Sequence, residues 1–333
     1  MTTRPSIIVL TPVKNEEWIL KLFLDVTTRF ADMVVVADQH SSDATVDICR
    51  KYPSVHVIHN DDTTYDERSR QSLLIQEARR LAPGPRILLA LDADEIMAAD
   101  ALDTVGWHAM LNADPGTVLL FHKPDLVGSV EHCYHYKSLA PIGFVDDGSP
   151  HGGHLIHSTR IPTPQHANRL VVAGSVVMHY GLVCPKRQES KVRHYSVVEN
   201  IHRTSPFYQR RALYKSAFMS QFWKSLQPSE PSWFSGWTQQ GIDVSSYDSV
   251  TRCTWHDAEV LRFLDAYGCR RFWLDDIWGF DWPACQRELL ANGIPGISTT
   301  PLEIPPRALL QGLAVFDKCL NSARRVKRAL TFS

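Results

Sequence analysis

The sequence of 333 residues lacks paired cysteines, an excess of charge and a long apolar run. Its 7 Cys include no CxxC pair, which argues against a disulfide framework and against a zinc ribbon. A net charge of -1 provides no overall attraction to nucleic acid. No segment approaches the roughly 20 apolar residues of a membrane-spanning helix, and the first apolar run, residues 7–10, is too short for a signal peptide. We therefore expect a globular cytoplasmic protein without a nucleic-acid partner.

Short apolar runs alternate with helical segments in the first part of the chain. The predicted strands are residues 7–10, 33–37, 55–58 and 86–91, and the predicted helices between them are 16–30, 42–52 and 66–81. Continuous apolar runs are typical of strands that are covered on both faces, so the alternation predicts an α/β fold with a mostly parallel sheet flanked by helices. Ligands of such sheets bind beyond the carboxyl ends of the strands.

The second part of the chain has a different pattern, because helical segments dominate after about residue 184. We predict one α/β domain over residues 1–200 and a mainly helical C-terminal region over residues 201–333. In the second region, residues 307–330 have the spacing of an amphipathic helix with a basic end, ARRVKR. Packing on the domain is the favoured interpretation of this helix. Peripheral contact with an anionic membrane surface is the alternative.

Three acids in four positions follow the last predicted strand, in the stretch ILLALDADE of residues 87–95. Like charges this close raise one another's pKa and cost stability unless a cation or a hydrogen-bonding ligand occupies the site. Asp92 and Asp94 lie on the same side of an extended backbone, separated by the small Ala93. Such oxygen ligands favour Mg²⁺ or Mn²⁺, which keep coordination positions for substrate phosphates. The alternative is an acidic turn that ends the strand.

Four stretches in this order resemble the family 2 glycosyltransferases. They are IIVLTPVKNEE (7–17), VVVADQHSSDAT (34–45), DERSRQSLL (66–74) and ILLALDADE (87–95). The resemblance implies a GT-A type, Rossmann-like fold in the first domain. It also implies a nucleotide-diphosphate sugar donor and transfer with inversion at the anomeric carbon. Processive polysaccharide synthases of this family carry a Q-x-x-R-W motif and membrane spans, and the sequence has neither, so we expect the transfer of a single sugar.

The resemblance also implies positions for the donor and the metal. The implied nucleotide-binding residues are Thr11, Pro12, Val13, Asn15, Glu16, Asp38, Arg68, Arg70, Asp92, Ala93 and Asp94. Asp38 would accept the N–H of the base, which favours UDP, and Asp92 would bind the ribose. Asp94 would bind Mn²⁺ or Mg²⁺, with His179 completing the metal site. Two features depart from the family: Val13 replaces the Tyr of many relatives, and the interval from Arg70 to Asp94 is long.

Further candidates concern the diphosphate, the base and the acceptor. Lys191 and Arg187, in a basic segment after His179, are candidates for binding the diphosphate. An inverting transfer needs a carboxylate that takes the proton of the attacking hydroxyl. Asp147 is the first candidate and Asp146 the second, with Asp125 and Glu131 behind them, although adjacent acids before Gly are also typical of turns. For a saccharide or lipid-linked acceptor, the candidates are His154, His157 and Arg160.

Other activities remain open at this point. The sequence contains 15 His, and His151, His154 and His157 raise the alternative of a metal-dependent hydrolase, although their spacing matches no zinc signature. A nucleotide-sugar-binding protein without activity is another alternative. A sugar nucleotidyltransferase is disfavoured, because the Gly-rich phosphate-binding loop near the N-terminus is missing. The lipid-linked acceptor would place the protein at the inner face of the membrane. The sequence makes no prediction of the oligomeric state.

Overall fold

The computed structural model describes residues 4–60, 66–154, 158–202, 205–215, 225–248 and 253–331. The chain divides into two compact units, Met1–Val183 with Ser225–Ser249 and Cys184–Lys224 with Val250–Ser333. The predicted boundary at residue 200 falls within a helix of the second unit, Pro185–His202. The predicted roles of the two regions stay predictions.

Strands dominate the first unit and helices the second. The strands are β1 (Ser6–Val13), β2 (Met33–Asp38), β3 (Val55–His59), β4 (Arg86–Ala90), β5 (Glu95–Met97), β6 (Val118–His122), β7 (Asp125–Val127), β8 (His132–Tyr134), β9 (Ala140–Val145), β10 (Arg169–Leu182) and β11 (Gln227–Pro228). The helices are α1 (Glu17–Thr27), α2 (Thr45–Cys49), α3 (Glu67–Leu81), α4 (Val105–Leu111), α5 (Pro185–His202), α6 (Phe207–Leu213), α7 (Ser232–Gln239), α8 (Trp255–Tyr267), α9 (Trp282–Ala291) and α10 (Arg307–Thr331), with short 3₁₀ helices at Ala99–Asp103 and Cys269–Phe272.

The described residues of the first unit form an eleven-stranded sheet in the order β11-β8-β7-β10-β6-β9-β4-β1-β2-β3, with β5 paired to β10. Strands β1, β2, β3 and β4 are parallel neighbours. Strand β9 lies antiparallel between β4 and β6, so β6 again points in the direction of β4. Strands β10 and β7 continue in that direction. The predicted α/β fold with a mostly parallel central sheet flanked by helices is confirmed.

Alternating side chains of the central strands fill two separate cores. In β1, Ile7 and Val9 belong to a core that includes α1 and α4, whereas Ile8 and Leu10 belong to a core on the other face, under α3. Successive side chains of a strand point to opposite faces, so a strand covered by helices on both faces has to be apolar throughout. This explains the unbroken apolar runs of the sequence.

The carboxyl ends of the parallel strands meet at one edge of the sheet. Val13 at the end of β1 pairs with Asp38 at the end of β2, and β4 ends next to β1 at Ala90. Because β6, β7 and β10 point the same way, their carboxyl ends also reach this edge. We call it the carboxyl edge; the segments that follow these strands carry most of the polar residues considered below.

The second unit is built from helices around a core of its own. Helix α5 packs against α8, where the Arg193 guanidinium donates to Asp257 over 2.8 Å within the buried region. In α10, Leu313 is buried and Asp317 pairs with Arg211 of α6 at 2.6 Å. No helix in the described ranges is both long and apolar enough to cross a membrane. Peripheral contact of α10 with a membrane stays a prediction.

Candidate functional site

The acidic stretch leads from β4 into a short strand that pairs with β10. Strand β5 begins at Glu95, which lies opposite His179 in the antiparallel register of β10. The backbone N–H of Tyr180 donates to the carbonyl of Asp94 over 2.7 Å. This pairing brings the side chains of Asp94 and His179 together, with 3.5 Å between Asp94 Oδ2 and His179 Nε2. Two residues 85 positions apart in the sequence thus share one end of the carboxyl edge.

Two further side chains fix the imidazole ring of His179. Nδ1 of His179 lies 2.6 Å from Oδ1 of Asp125, at the start of β7, and the Tyr136 hydroxyl donates to Oδ2 of the same carboxylate over 2.6 Å. Burial acts to lower the pKa of His179, but the attraction of Asp94 and the hydrogen bond with Asp125 outweigh it and raise that pKa to about 9. The side chains of Asp94 and Asp125 therefore favour the protonated, positively charged form of this ring at neutral pH.

Glu95 is the centre of a separate buried ion-pair cluster. Its side chain is inaccessible to solvent and receives Lys123 Nζ at 2.7 Å and Arg160 Nη1 at 2.6 Å, together with the backbone N–H of Asp92. Burial acts to raise the pKa of Glu95, but the charges of Arg160 and Lys123 lower it from 4.5 to about 2. Arg160 also lies 3.3 Å from Asp92 Oδ2. Glu95 thus binds Lys123 and Arg160 beside Asp92 and Asp94.

The geometry of Asp94 and His179 fits a divalent ion. Two ligands that bind one ion at about 2.1 Å and at a right angle lie about 3 Å apart, close to the observed 3.5 Å. A Cβ atom on Gly181 would lie 2.7 Å from His179 Nε2 and 3.3 Å from Asp94 Oδ2, so the glycine keeps space open beside both atoms. The described ranges contain no group of three or more His, Cys, Asp or Glu side chains that could hold a metal. An ion here would depend on substrate oxygens or water for its other ligands.

The predicted nucleotide-binding residues lie along the same edge, after β1 and β2. Pro12 and Val13 are the last residues of β1. Asp38, which ends β2, is buried and accepts from the backbone N–H of Ser41 over 3.2 Å. Asn15 has a left-handed backbone (φ 55°) and accepts from the N–H of Ser42 over 2.7 Å. These bonds tie the two loops into one rigid rim.

The acids and arginines of this rim are positioned in different ways. The carboxylate of Glu16 accepts from the indole N–H of Trp18 over 2.6 Å. Arg70, in the first turns of α3, donates to Gln39 Oε1 over 2.9 Å, directly after β2. Arg68 is exposed on the same helix. Helix α3 runs between β3 and β4, so its first turns lie at the carboxyl edge.

Three buried polar atoms of β1 and α3 make no hydrogen bond with the described protein atoms: Thr11 Oγ1, Arg70 Nε and Gln71 Oε1. Thr11 and Gln71 are both almost completely buried. A buried polar atom without a partner costs about 1–3 kcal/mol, and a bound ligand or an ordered water would remove that cost. Gln71 was not among the residues predicted from the sequence, because a Gln on the apolar face of a helix resembles an ordinary core position.

The structure places Asp146 and Asp147 at the opposite edge of the sheet from Asp94 and His179, and their role as the catalytic base stays a prediction. Strand β9 runs antiparallel to β4, with Val145 opposite Ile87, so the two acids follow it at the amino ends of the parallel strands. Asp146 is buried and binds Arg79 and Arg86, each at 2.6 Å. Burial acts to raise its pKa, but the hydrogen bonds from both arginines lower it. Asp147 is exposed and accepts from the N–H of Ser149 in a turn.

The remaining candidates are distributed between both units. Arg160 lies beside Asp92 and Glu95, as described above. His154 is exposed, and His157 lies outside the described residues. Lys191 and Arg187 belong to α5 of the second unit, and their role at the diphosphate stays a prediction.

One histidine of the histidine-rich segment, His151, makes hydrogen bonds within the protein. Nε2 of His151 lies 2.7 Å from the carbonyl of Thr159, and Nδ1 lies 3.4 Å from the Ser72 hydroxyl. A zinc-binding histidine needs one ring nitrogen for the ion. Both ring nitrogens of His151 are occupied, which gives no support to a metal-dependent hydrolase built on this segment.

Lys123 and Tyr136 are two further site residues that the sequence did not indicate. Lys123 follows β6, and Tyr136 follows β8. Strand β6 points toward the carboxyl edge, so a charged residue directly after the run VLLFH could have been recognised by the same rule that identified Asp38 and Asp92. Tyr136 has no such signal, because its position depends on the hairpin of β7 and β8.

No protein-family model matches the sequence, and no curated protein does either. Among solved structures, a 4-diphosphocytidyl-2C-methyl-D-erythritol synthase is similar at 17% identity, over 44% of this chain and 76% of that one, with a TM-score of 0.29. A glucosyl-3-phosphoglycerate synthase from Mycobacterium tuberculosis, in complex with Mn²⁺, UDP and glucosyl-3-phosphoglycerate, is similar at 17% identity, over 37% of this chain and 45% of that one, with a TM-score of 0.26. The same enzyme in complex with Mn²⁺, UDP-glucose and phosphoglyceric acid is similar at 16% identity, over 37% of this chain and 44% of that one, with a TM-score of 0.26.

The similarity to these structures is limited in extent. The chain spans less than half the length of the mycobacterial enzyme. Likeness of this size does not transfer the activity of those proteins to this chain, so its function has to be argued from its own residues.

Proposed function

We propose that the protein is an inverting glycosyltransferase that moves a single sugar from a nucleotide-diphosphate donor, with UDP as the expected nucleotide, to a hydroxyl of a saccharide or lipid-linked acceptor. The observation that carries the proposal is the position of Asp94 beside His179, 3.5 Å apart, at the sheet edge that also holds Asp38 and Thr11. The side chains of Asp94 and His179 suit a hard cation, and the polar residues after β1 and β2 lie on the same edge. Together they suit a ligand that has both a base and a diphosphate.

The donor half of the reaction can be assigned to residues of this edge. Asp38 would accept the N–H of a uracil base, and Thr11 and Arg70 are proposed to line the pocket of the nucleoside. Asp92, whose side chain is 46% exposed, would accept a ribose hydroxyl. Arg160 and Glu95 hold Asp92 from two sides, through the guanidinium and the backbone N–H respectively. The carboxylate of Asp92 thus pairs with Arg160 and keeps exposed surface for a ribose hydroxyl.

The diphosphate half would use a divalent ion. Asp94 and His179 would hold Mn²⁺ or Mg²⁺, and the ion, when bound, neutralises negative charge on the diphosphate leaving group. Asp125 keeps the imidazole in place through Nδ1, and Gly181 leaves the space beside Nε2 open. Lys191 and Arg187 are proposed as further diphosphate contacts.

The acceptor side is less completely assigned. Arg160 and His154 are the acceptor candidates among the described residues. Asp146 and Asp147 lie at the other edge of the sheet, and their role as the base stays a prediction. An inverting transfer still requires a carboxylate near the sugar, and the proposal leaves that carboxylate unnamed.

The first test is a thermal-shift panel of nucleoside diphosphates with and without Mn²⁺. We expect UDP to raise the melting temperature only when Mn²⁺ is present, because the ion bridges the protein and the diphosphate. Asp94→Ala should abolish this shift. Asp103→Ala, which removes an exposed carboxylate of the same unit, should retain it.

The panel separates the proposal from its alternatives. Equal shifts for all nucleotides, independent of Mn²⁺, would contradict the proposal. A Mn²⁺-dependent shift with UDP, but no release of UDP from any sugar donor with or without acceptors, would indicate a nucleotide-sugar-binding protein without activity.

A further inference from the structure

We infer that Asp125 and Tyr136 are positioning residues for the metal site, which act by holding the imidazole of His179. The inference rests on the proposed function, because it assigns His179 to a divalent ion. It adds two residues, Asp125 at the start of β7 and Tyr136 shortly after β8, each of which acts through another side chain.

The first step of the argument is the occupancy of both oxygens of Asp125. Oδ1 lies 2.6 Å from His179 Nδ1, and Oδ2 accepts from the Tyr136 hydroxyl over 2.6 Å. Both are short distances of the kind made by charge-assisted hydrogen bonds. With one oxygen fixed by Tyr136, the carboxylate cannot rotate without losing a strong bond. The side chain of Asp125 is 7% exposed, so water does not replace that bond easily.

The second step is the consequence for His179. A carboxylate that accepts from Nδ1–H keeps a proton on Nδ1, so Nε2 is the nitrogen that would coordinate an ion once the ion displaces the Nε2 proton. Nε2 is the atom that faces Asp94 Oδ2. Histidine ligands of metals commonly donate their second ring N–H to a carboxylate, which orients the ring and increases its basicity. The chain from Tyr136 through Asp125 to His179 has this arrangement.

The third step is that the backbone holds the same geometry independently. The N–H of His179 donates to the carbonyl of Pro124 over 2.9 Å, and His179 lies opposite Asp125 in the register of β10 and β7. Tyr136 reaches Asp125 from the hairpin partner, since β8 pairs with β7. Fixed backbone positions mean that removing the Tyr136 hydroxyl changes the hydrogen bonding of Asp125 and little else.

The test is a Mn²⁺ titration in the presence of UDP, followed by the electron paramagnetic resonance signal of free Mn²⁺. We expect Asp125→Asn to weaken Mn²⁺ binding by about tenfold, the usual effect of losing an outer partner of a metal ligand. Tyr136→Phe should weaken binding in the same direction by about threefold, because it removes one hydrogen bond to the charged carboxylate. This readout needs neither a donor sugar nor an acceptor.

Two controls make the result decisive. Tyr208→Phe makes the same change at a tyrosine of the second unit that is as exposed as Tyr136, 43% in both cases, and should bind Mn²⁺ as the wild type does. Asp94→Ala should lose binding. If Asp94→Ala loses binding while Asp125→Asn and Tyr136→Phe both equal the wild type, the positioning role is overturned and the metal site stands. If wild type and Asp94→Ala bind Mn²⁺ equally, the proposed function fails and this inference fails with it.

Discussion

Glu95→Gln is expected to destabilise the protein by about 3 kcal/mol or more, measured by urea unfolding at neutral pH. The wild-type carboxylate is inaccessible to solvent and pairs with both Lys123 and Arg160. A neutral amide would leave two largely buried cations without their counter-charge, and removing one partner of a buried ion pair typically costs about 3–5 kcal/mol. Glu77→Gln is the matched control. Glu77 also contacts two basic side chains, Arg80 and His56, but these are exposed, so a far smaller loss is expected.

The difference between wild type and Glu95→Gln should also depend on pH. Because the pKa of Glu95 is lowered from 4.5 to about 2 in the folded protein, its ionised form contributes fully above about pH 4.5. The contribution is lost as the pH falls toward 2, where the folded protein takes up the proton as well. Unfolding curves of the two proteins should therefore converge in that window. Equal stabilities at neutral pH would show that the cluster around Glu95 is not an ion-pair centre.

Gly181→Ala is expected to remove Mn²⁺-dependent binding of UDP while the protein remains folded. The new methyl group would lie 2.7 Å from His179 Nε2 and 2.8 Å from its Cε1, which is closer than non-bonded carbon atoms approach. The ring has to move, and it is held on its other side by Asp125. The loss of Mn²⁺ affinity should therefore exceed the about tenfold effect of an outer-partner substitution.

The measurement for Gly181→Ala is a Mn²⁺ titration with UDP, together with thermal unfolding without metal. Gly279→Ala is the control, because a Cβ at that glycine would have no neighbour within 4 Å. Unchanged Mn²⁺ affinity in Gly181→Ala would contradict the position assigned to the ion. A folded variant without affinity would agree with it.

The carboxyl edge was predictable from the sequence because its signals are local. Apolar runs identify the strands, and the rule for parallel sheets then places Asp38, Asp92 and Asp94 at one edge. The structure brings His179 to Asp94, as the resemblance led us to expect, through the pairing of β5 with β10. The roles of these residues stay predictions.

The three acids of residues 92–95 have different partners in the structure, which the sequence alone did not indicate. Asp94 was expected to bind a cation and Asp92 a ribose hydroxyl, whereas Glu95 was given no separate role. Glu95 turns to Lys123 and Arg160, whereas Asp94 turns to His179. Residues 92–95 form a turn, in which the backbone N–H of Glu95 donates to the carbonyl of Asp92 over 2.9 Å. The partners Lys123, directly after β6, and His179, in β10, are distant in the sequence.

The position of Asp146 and Asp147 also depends on a pairing between strands that are distant in the sequence. The run before them is apolar, like those of the parallel strands, and the sequence of a strand does not state its direction. Strand β9 enters the sheet antiparallel between β4 and β6, so the acids after it lie at the opposite edge. There the charge of Asp146 is balanced by Arg79 and Arg86, which gives the buried acid a structural explanation.

The most direct test of the central claim is anomalous X-ray diffraction from crystals grown with Mn²⁺ and UDP, recorded at the manganese absorption edge. The account predicts one strong anomalous peak within about 2.3 Å of both Asp94 Oδ2 and His179 Nε2, with the UDP phosphates on its other side. A peak at another place in the protein, or bound UDP without any peak between these two side chains, would contradict it.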